Sequence, residues 1–482
     1  MIKAGRASME AMKVAVVGAG IAGLAAAHRL TGQGAEVVVV EQASRAGGKL
    51  RTGELAGGPV EAGAEAFLVR GPAGEPSAAV ELARSVGLGD GLVHPAVERA
   101  AVAVGGRLRP LPGATLFGVP SDLSTLDGVA EADAALDRDG GRPLLAPGED
   151  QAVGALVRRR LGDQVVDRLV DPLLGGVYAG RADDLSLAVT IPALAAACRR
   201  ATTLTGAVSQ ALASRPSAGG PVFATIEGGI SRLVDALAAA LRAGGADLRF
   251  GAPVRDLRRT GTGWRLVAGS TRDAEAIDAD AVVLALPARP AGRLLSTVDA
   301  RVATALGALD YASVALVGLA FPALELPALS GFLVPATEGY ATKAVTFVTR
   351  KWDHLRRPDG VVVVRASLGR YREEHVLQRD DGDLVALVRG ELAALLGGEP
   401  GGGALSGGAL PAPVDAAVWR WGGALPQYAP GHLDRVRAIR AALPPTLALA
   451  GAALDGVGIP ACVHSAQAAA DAILAGLGQL PS

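Results

Sequence analysis

The chain contains few cysteines and aromatic residues, and neither sign of charge predominates. Two cysteines among 482 residues, Cys198 and Cys462, cannot form a disulfide framework or a four-ligand metal site, so we expect a reducing compartment, the cytoplasm. Lysine and arginine number 47 against 48 acidic residues, which gives a net charge of -1. This balance excludes attraction of the whole chain to nucleic acid or anionic lipid. We predict no metal site and no nucleic-acid partner.

Long apolar runs are also missing. No charge-free stretch reaches the ~18 to 20 apolar residues that a membrane-spanning helix needs, so no transmembrane segment is predicted. Residues 1–12 lack the apolar core of a secretory signal, and we expect an upstream extension with Met12 as the functional start. Glycine, in contrast, is abundant, with 65 residues, and indicates many tight turns and close backbone approaches.

The first informative segment is a strand, a glycine turn and a helix. The apolar run 14–17 leads into Gly18, Gly20 and Gly23, and helix-forming residues follow. In such a unit the three glycines permit the turn, the approach of a pyrophosphate and close packing of the helix on the strand. A second apolar run, 37–40, ends at Glu41, where an acidic side chain can accept ribose hydroxyls. The alternative is a glycine-rich turn in another α/β unit.

A glycine pair after Glu41 distinguishes a flavin-binding protein from a nicotinamide-binding one. Gly47 and Gly48, followed by Lys49, Arg51 and Thr52, let the backbone lie against a dinucleotide that the first turn already holds. This order resembles the extended motif of the FAD-dependent amine oxidases. An ordinary loop is the alternative for the pair.

The rest of the chain alternates between helical and strand patterns. Residues 80–215 favour helices, 230–241 a helix, and 247–250, 254–257 and 281–286 strands that extend the parallel sheet. Residues 310–320 and 361–367 favour a second sheet, and 397–413 a loop. The last segment is typical of a strand at 447–450, a glycine-rich turn at 451–458 and a helix at 460–474. A terminal capping helix without a ligand is the alternative there.

Four further segments make the resemblance specific. They are DPLLGGVYAG at 171–180, GAEAFL at 63–68, Trp421 with Pro426, Gln427 and Tyr428, and GVGIPAC at 456–462. Over nearly its whole length the chain resembles the protoporphyrinogen and coproporphyrinogen oxidases, a branch of the flavin amine oxidase superfamily, and most resembles the Gram-positive coproporphyrinogen III oxidases.

The resemblance implies an α/β fold with a discontinuous, Rossmann-like FAD-binding domain of the GR2 type, a mixed-sheet substrate domain and a helical domain. The predicted boundaries are 12–75, 221–295 and 416–482 for the three parts of the FAD-binding domain, 76–220 for a mostly helical insertion and 296–415 for the substrate domain.

Non-covalent FAD is the implied cofactor. The implied contacts are Gly18, Ala19, Gly20, Ile21, Ala22, Gly23, Glu41, Gln42, Lys49, Gly63, Ala64, Glu65, Ala66, Val254 through its backbone, Trp421, Val457, Gly458 and Ile459. The chain departs from the family at Ala64 and Glu65, where GPD or GPR is common, and at Ala461, where Asp is common.

The implied reaction is a six-electron oxidation of coproporphyrinogen III to coproporphyrin III in haem biosynthesis. It comprises three hydride transfers to flavin N5, with oxygen as acceptor and hydrogen peroxide as product. No catalytic side chain is predicted, and His464 is interpreted as a hydrogen-bonded structural residue. Arg70 is the first candidate for binding substrate carboxylates, followed by Lys343 and Arg365. A ferrochelatase is the expected recipient of the product.

Three alternatives remain at this point. The substrate is protoporphyrinogen IX, or the chain is another flavin amine oxidase or a desaturase, although neither of the last two accounts for DPLLGGVYAG. From a different class, it is a flavin-holding porphyrin carrier without turnover.

Overall fold

The computed structural model describes residues 12–214, 219–397 and 410–478. The predicted N-terminal extension and most of the loop predicted for 397–413 lie outside these ranges. The strands are β1 (Lys13–Val17), β2 (Glu36–Val40), β3 (Thr52–Leu55), β4 (Gly58–Glu61), β5 (Phe67–Leu68), β6 (Leu92–Val93), β7 (Ala100–Val104), β8 (Arg107–Pro110), β9 (Thr115–Leu116), β10 (Val119–Pro120), β11 (Phe223–Ile226), β12 (Asp247–Arg249), β13 (Val254–Arg259), β14 (Trp264–Gly269), β15 (Ala274–Ala279), β16 (Ala281–Leu284), β17 (Tyr311–Phe321), β18 (Gly331–Leu333), β19 (Thr342–Phe347), β20 (Val362–Leu368), β21 (Asp415–Pro426) and β22 (Leu447–Leu449). The helices are α1 (Ile21–Gly32), α2 (Ala78–Ser85), α3 (Val153–Leu161), α4 (Asp163–Val165), α5 (Asp171–Tyr178), α6 (Leu187–Thr190), α7 (Pro192–Cys198), α8 (Leu204–Ala213), α9 (Ser231–Ala243), α10 (Ala288–Leu295), α11 (Ala300–Gly307), α12 (Val348–Lys351), α13 (Asp381–Gly397), α14 (His432–Ala442), α15 (Ala452–Asp455) and α16 (Ile459–Leu477).

A five-stranded parallel sheet in the order β12-β2-β1-β16-β22 lies at the centre of the first region. Its strands other than the edge strand β12 are almost purely apolar because both faces are covered. Val14 and Val16 face one core with α1, α2, α9 and α16, whereas Ala15 and Val17 face another core with α10, α11 and α14. The sheet therefore brings together segments from three distant parts of the sequence.

One predicted strand does not join this sheet. Residues 254–257 were expected to extend it, but β13 pairs with β14 in a separate antiparallel sheet, β13-β14-β15. The sequence VRDLRR explains the difference, since only Leu257 is buried and a strand inside a parallel sheet must be apolar on both faces.

A seven-stranded mixed sheet forms the second region, in the order β21-β17-β20-β19-β18-β7-β8. It contains the strands predicted near 310–320 and 361–367. It also contains β7 and β8, which lie inside the segment that was predicted to be mostly helical. Gly105 and Gly106 join these two strands with φ angles of 59° and 71°, as a two-residue hairpin turn requires.

The helical region spans α3 to α8 around a third core, in which a π-helical turn, Val166–Val170, leads into α5. Strand β21 crosses the boundary predicted at residue 415 and belongs to the mixed sheet. Within the described ranges, no helix combines the length and apolar character needed to cross a bilayer.

Candidate active site

The glycine turn after β1 gives its three glycines different surroundings. A Cβ on Gly18 would lie 2.5 Å from the Ala285 carbonyl oxygen, and one on Gly23 would lie 1.8 Å from the Gly18 carbonyl oxygen. Gly20 has no atom within 4 Å of such a position. Gly18 and Gly23 therefore allow close packing of strand and helix, while open space at Gly20 and the amino end of α1 leave room for a phosphate.

The second glycine pair extends this open surface. The Gly47 amide donates to the Ala19 carbonyl at 2.8 Å, and Gly47 pairs with Gly20 as a parallel bridge. Gly48 is exposed, and a Cβ there would lie 3.4 Å from the Gly20 Cα atom. The two glycine motifs thus form one continuous surface of backbone without side chains.

Glu41 lies at the carboxyl end of β2 with its carboxylate already oriented. It accepts from the amides of Ala19, at 2.7 Å, and Ala43, at 2.8 Å. Each carboxylate oxygen keeps further acceptor capacity for a hydroxyl. Gln42 is exposed beside it, and the bond from the Ala252 amide to the Glu41 carbonyl brings the start of β13, with Val254, to the same edge.

Lys49, Gly63 and Trp421 are brought together from three segments. The Ala64 amide donates to the Lys49 carbonyl at 3.0 Å, and a Cβ on Gly63 would lie 2.0 Å from that oxygen. The Trp421 indole donates to the Ala62 carbonyl at 2.7 Å. A residue larger than glycine at 63 would separate the mixed sheet from the dinucleotide side.

The amino end of α16 completes this side. Gly456 and Gly458 adopt φ angles of 126° and 101°, and Gly458 is exposed. Val457 packs on the core of the helical region, whereas Ile459 is buried under the parallel sheet. Residues 457–459 therefore connect the helical region with the parallel-sheet region. At this point the amino end of α16, whose first N–H groups have no acceptor within the helix, reaches the surface.

Two further residues of α16 differ in their exposure. His464 lies on its exposed side, contrary to the hydrogen-bonded residue expected there. Cys462 is nearly buried in its first turn. Burial lowers the pKa of Lys49 and raises the pKa of Cys462 to about 11.

Glu65 and Arg365, which the sequence assigns to cofactor and substrate, form an ion pair with each other. Glu65 also accepts from Lys351 Nζ at 2.6 Å and from the Trp352 indole at 2.8 Å, and Arg365 donates to the Glu61 carbonyl at 2.7 Å. Burial alone would raise the pKa of Glu65, but Lys351 and Arg365 lower it to about 2. This cluster holds the segment that contains Gly63 and Ala64, and Ala66 packs beside it.

Glu61 precedes that segment and is only 8% exposed. It accepts from the Ile230 amide at 2.7 Å and from the Thr52 hydroxyl at 3.2 Å. Burial raises its pKa to about 7. Neither Glu61 nor Lys351 was among the predicted site residues.

The DPLLGGVYAG segment forms α5 and the turn after it, and it is held through main-chain atoms. The Tyr178 carbonyl accepts from the Gln427 amide at 2.9 Å, and the Ala179 carbonyl accepts from the Tyr371 N–H at 2.8 Å. The Asp171 carboxylate accepts from the Ala182 N–H at 2.7 Å.

Two residues of α5 are exposed, although the helix is otherwise surrounded by packed side chains. They are Gly176 and Val177. The exposed part of α5 therefore consists of a glycine and an apolar side chain, which suit an apolar ligand.

The three predicted carboxylate binders have different surroundings. Arg70 is exposed and donates to the carbonyls of Gly74 and Gly219, both at 3.1 Å. Arg365 is engaged by Glu65. Lys343 is 6% exposed and donates to the Gly175 carbonyl at 3.3 Å, beside α5.

The site combines a dinucleotide-binding turn, a glycine pair on the same backbone surface and a mixed sheet that contacts both. This combination is typical of a flavin-binding oxidoreductase. The chain belongs to the flavin-containing amine oxidoreductase family, whose model matches residues 21–474, and is a flavin-dependent oxidoreductase. The predicted fold class is thereby confirmed.

Individual relatives are more specific. The chain is 40% identical to the coproporphyrinogen III oxidase of Mycobacterium tuberculosis, over 96% of this chain and 97% of that protein. It is 30% identical to the coproporphyrinogen III oxidase of Bacillus subtilis, over 95% and 96%.

Solved structures agree on the fold. A crystal structure from Exiguobacterium sp. 255-15, assigned as a protoporphyrinogen oxidase, has a TM-score of 0.81 at 28% identity and covers 98% of this chain and 100% of that one. A putrescine oxidase structure, at 18% identity and a TM-score of 0.65, shares the fold over 96% and 99%.

Proposed function

We propose that the protein is an FAD-dependent oxidase that converts coproporphyrinogen III to coproporphyrin III. The observation that carries the proposal is the identity of 40% along 96% of the chain to a coproporphyrinogen III oxidase. The exposed apolar face of α5 supports it, because Gly176 and Val177 offer an apolar surface for a macrocycle.

Non-covalent FAD fits the dinucleotide side. The backbone at Gly20 and Gly48 with the amino end of α1 suits a pyrophosphate, and the oriented Glu41 carboxylate suits a ribose. The amino end of α16 suits a flavin ring. Cys462 lies near Lys49, but burial keeps its thiol protonated at neutral pH, and a protonated thiol is a poor nucleophile for flavin attachment. The other predicted FAD contacts, the first of which is Ala19 and the last Ile459, are part of this proposal.

Bound flavin would supply the hydride acceptor at N5. The product has six electrons fewer than the porphyrinogen, so the proposal requires three hydride removals and the reduction of three molecules of oxygen to hydrogen peroxide. The chain contributes position and water exclusion: Trp421 fixes the segment 62–66, and the Glu65 cluster holds it from the other side. No side-chain base is assigned.

The proposed setting is the cytoplasm, and a ferrochelatase is the proposed recipient of the product. Protoporphyrinogen IX is the second candidate substrate, favoured by the structural relative from Exiguobacterium.

Anaerobic flavin reduction tests the proposal directly. Purified holoenzyme is mixed with coproporphyrinogen III, protoporphyrinogen IX or putrescine, and the flavin absorbance is followed. Coproporphyrinogen III should reduce the flavin fastest, and in air each coproporphyrin III should appear with three molecules of peroxide. Faster reduction by protoporphyrinogen IX would transfer the assignment to the second candidate. Reduction by putrescine alone would indicate an amine oxidase, and bound flavin without any turnover would indicate a carrier.

A further inference from the structure

A cavity of about 160 Å³ lies behind α5, between that helix and the mixed sheet. Its wall includes Gly175 from α5, Val334 and Ala336 after β18, and Lys343 from β19. Gly175 faces this cavity, and the next residue, Gly176, belongs to the exposed face. The cavity therefore adjoins the surface proposed for the macrocycle and is large enough to hold a carboxylate.

One end of the cavity contains two basic side chains, the buried Lys343 and the half-buried Arg370, and the Asp171 carboxylate also lines the cavity. Lys343 has the Gly175 carbonyl as its acceptor, and Arg370 donates to the carbonyls of Tyr340, at 2.9 Å, and Val334, at 3.0 Å. Among the described residues, no acidic side chain forms an ion pair with Lys343 or Arg370. Burial and the neighbouring Arg370 lower the pKa of Lys343 to about 7, and an anion between the two side chains would stabilise its charged form.

The other end of the cavity is net negative. Arg158 pairs with Asp163, Asp167 and Asp183, and Arg181 pairs with Glu373. The carboxylates at this end outnumber the guanidinium groups and would repel a substrate carboxylate. An entering carboxylate is therefore directed to the end with Lys343 and Arg370.

The substituents of the two porphyrinogens indicate which part of the substrate would enter the cavity. Coproporphyrinogen III has four propionates and protoporphyrinogen IX has two, and the two that they share lie next to each other on one edge of the macrocycle. That edge is best left toward water, because burying two adjacent carboxylates is unfavourable. The opposite edge then points into the protein, and it bears propionates in one substrate and vinyl groups in the other.

We propose that Lys343 and Arg370 form a carboxylate subsite that selects a tetrapyrrole with a propionate on its buried edge over one with a vinyl group there. The inference rests on the proposed function and names the feature of the substrate that this site recognises. A vinyl group would leave Lys343 and Arg370 with their backbone carbonyl acceptors only, so the subsite selects by binding the propionate.

The test compares kcat/KM for the two porphyrinogens in Lys343→Met. Methionine keeps the length and apolar stem of lysine and removes its charge. We expect kcat/KM for coproporphyrinogen III to fall at least tenfold, ~1.4 kcal/mol, mainly through KM. The value for protoporphyrinogen IX should change less than twofold. A merely structural role would lower both values together, so an equal loss, or no loss, overturns the proposal.

Two further variants keep the result interpretable. Lys13→Met removes a lysine at the amino end of β1 and should leave the ratio of the two kcat/KM values unchanged. Lys343→Arg keeps a cation and should retain most of the selectivity; if Lys343→Met does not fold, Lys343→Gln takes its place. A wild-type protein that oxidises neither porphyrinogen refutes the proposed function, whereas one that oxidises both with a ratio insensitive to Lys343 refutes only the subsite.

Discussion

The two sides of the proposed active site differ in the chemical groups that form them. The dinucleotide side consists of main chain: Gly20 and Gly48 are open, and Glu41 is oriented by amides. The mixed-sheet side depends on buried charges, with Glu65 between Lys351 and Arg365, and Lys343 beside Arg370. Closely packed backbone, as at Gly23, tolerates no added atom, and buried charges tolerate no lost partner, so the two sides should be destabilised by different kinds of substitution.

The largest effect should come from adding one carbon on the dinucleotide side. Gly23→Ala places a Cβ 1.8 Å from the Gly18 carbonyl oxygen, so helix and strand must separate. We expect a loss of on the order of 4–5 kcal/mol in the free energy of unfolding, and loss of bound flavin, measured by denaturation and flavin absorbance. Gly32→Ala, at the end of α1 with no atom within 4 Å of its Cβ, is the matched control and should be neutral or slightly stabilising. Equal effects would show that close packing at Gly23 is unimportant.

On the mixed-sheet side, the largest effect should follow removal of a charge rather than addition of volume. Glu65→Gln leaves Lys351 and Arg365 without their counter-charge, and we expect about 3–5 kcal/mol of destabilisation in urea unfolding. The flavin reduction potential should also shift, because the segment 62–66 loses its support. Asp353→Asn breaks the exposed pair with Arg356 and should cost less than ~1 kcal/mol. A Glu65→Gln protein as stable as Asp353→Asn would remove the contrast between the two sides.

Glu61 tests the same side through pH. Its pKa is raised by burial from 4.5 to about 7, so the folded protein binds this proton more tightly than the unfolded chain does. Stability from this group is therefore full below pH 4.5 and is lost as pH rises toward 7, by up to about 3 kcal/mol. Glu61→Gln should be similar to the wild type near pH 4.5 and more stable than it at pH 8, in urea unfolding at each pH. Parallel pH profiles for the two proteins would contradict a buried, protonated Glu61.

The smallest effect is expected at Arg70. Its guanidinium is exposed and binds two carbonyls of surface turns, so Arg70→Gln should change stability by less than ~0.5 kcal/mol and KM by less than about twofold. A large rise in KM for coproporphyrinogen III would restore Arg70 as a carboxylate binder and weaken the assignment of that role to the buried cations.

The dinucleotide side could be predicted from sequence because its determinants are local. The runs 14–17 and 37–40 are apolar on both faces, and the glycines around them have few other uses at that spacing. The hairpin at Gly105 and Gly106 had a comparable local signal, two glycines between short strands, which the helical interpretation of residues 80–215 overlooked.

The mixed-sheet side could not be predicted in the same way, because its partners are far apart in sequence. A lone arginine in the strand VVVRASL is as compatible with substrate binding as with an internal ion pair. Only the approach of residue 65 to residue 365 decides between them. The same holds for Lys343 and Arg370, whose significance depends on the side chains from distant segments that surround them.

The order in which the parallel sheet is assembled has a consequence for synthesis of the protein. β1 and β2 leave the ribosome long before β22 and α16, which span residues 447–477 and complete the sheet and its cover. The nascent chain therefore holds an incomplete sheet, with apolar surface exposed, until these elements are synthesised. Because residues 457–459 belong to the proposed flavin side, that side is complete only after synthesis of α16, so holoenzyme yield should depend on chaperone supply and free flavin.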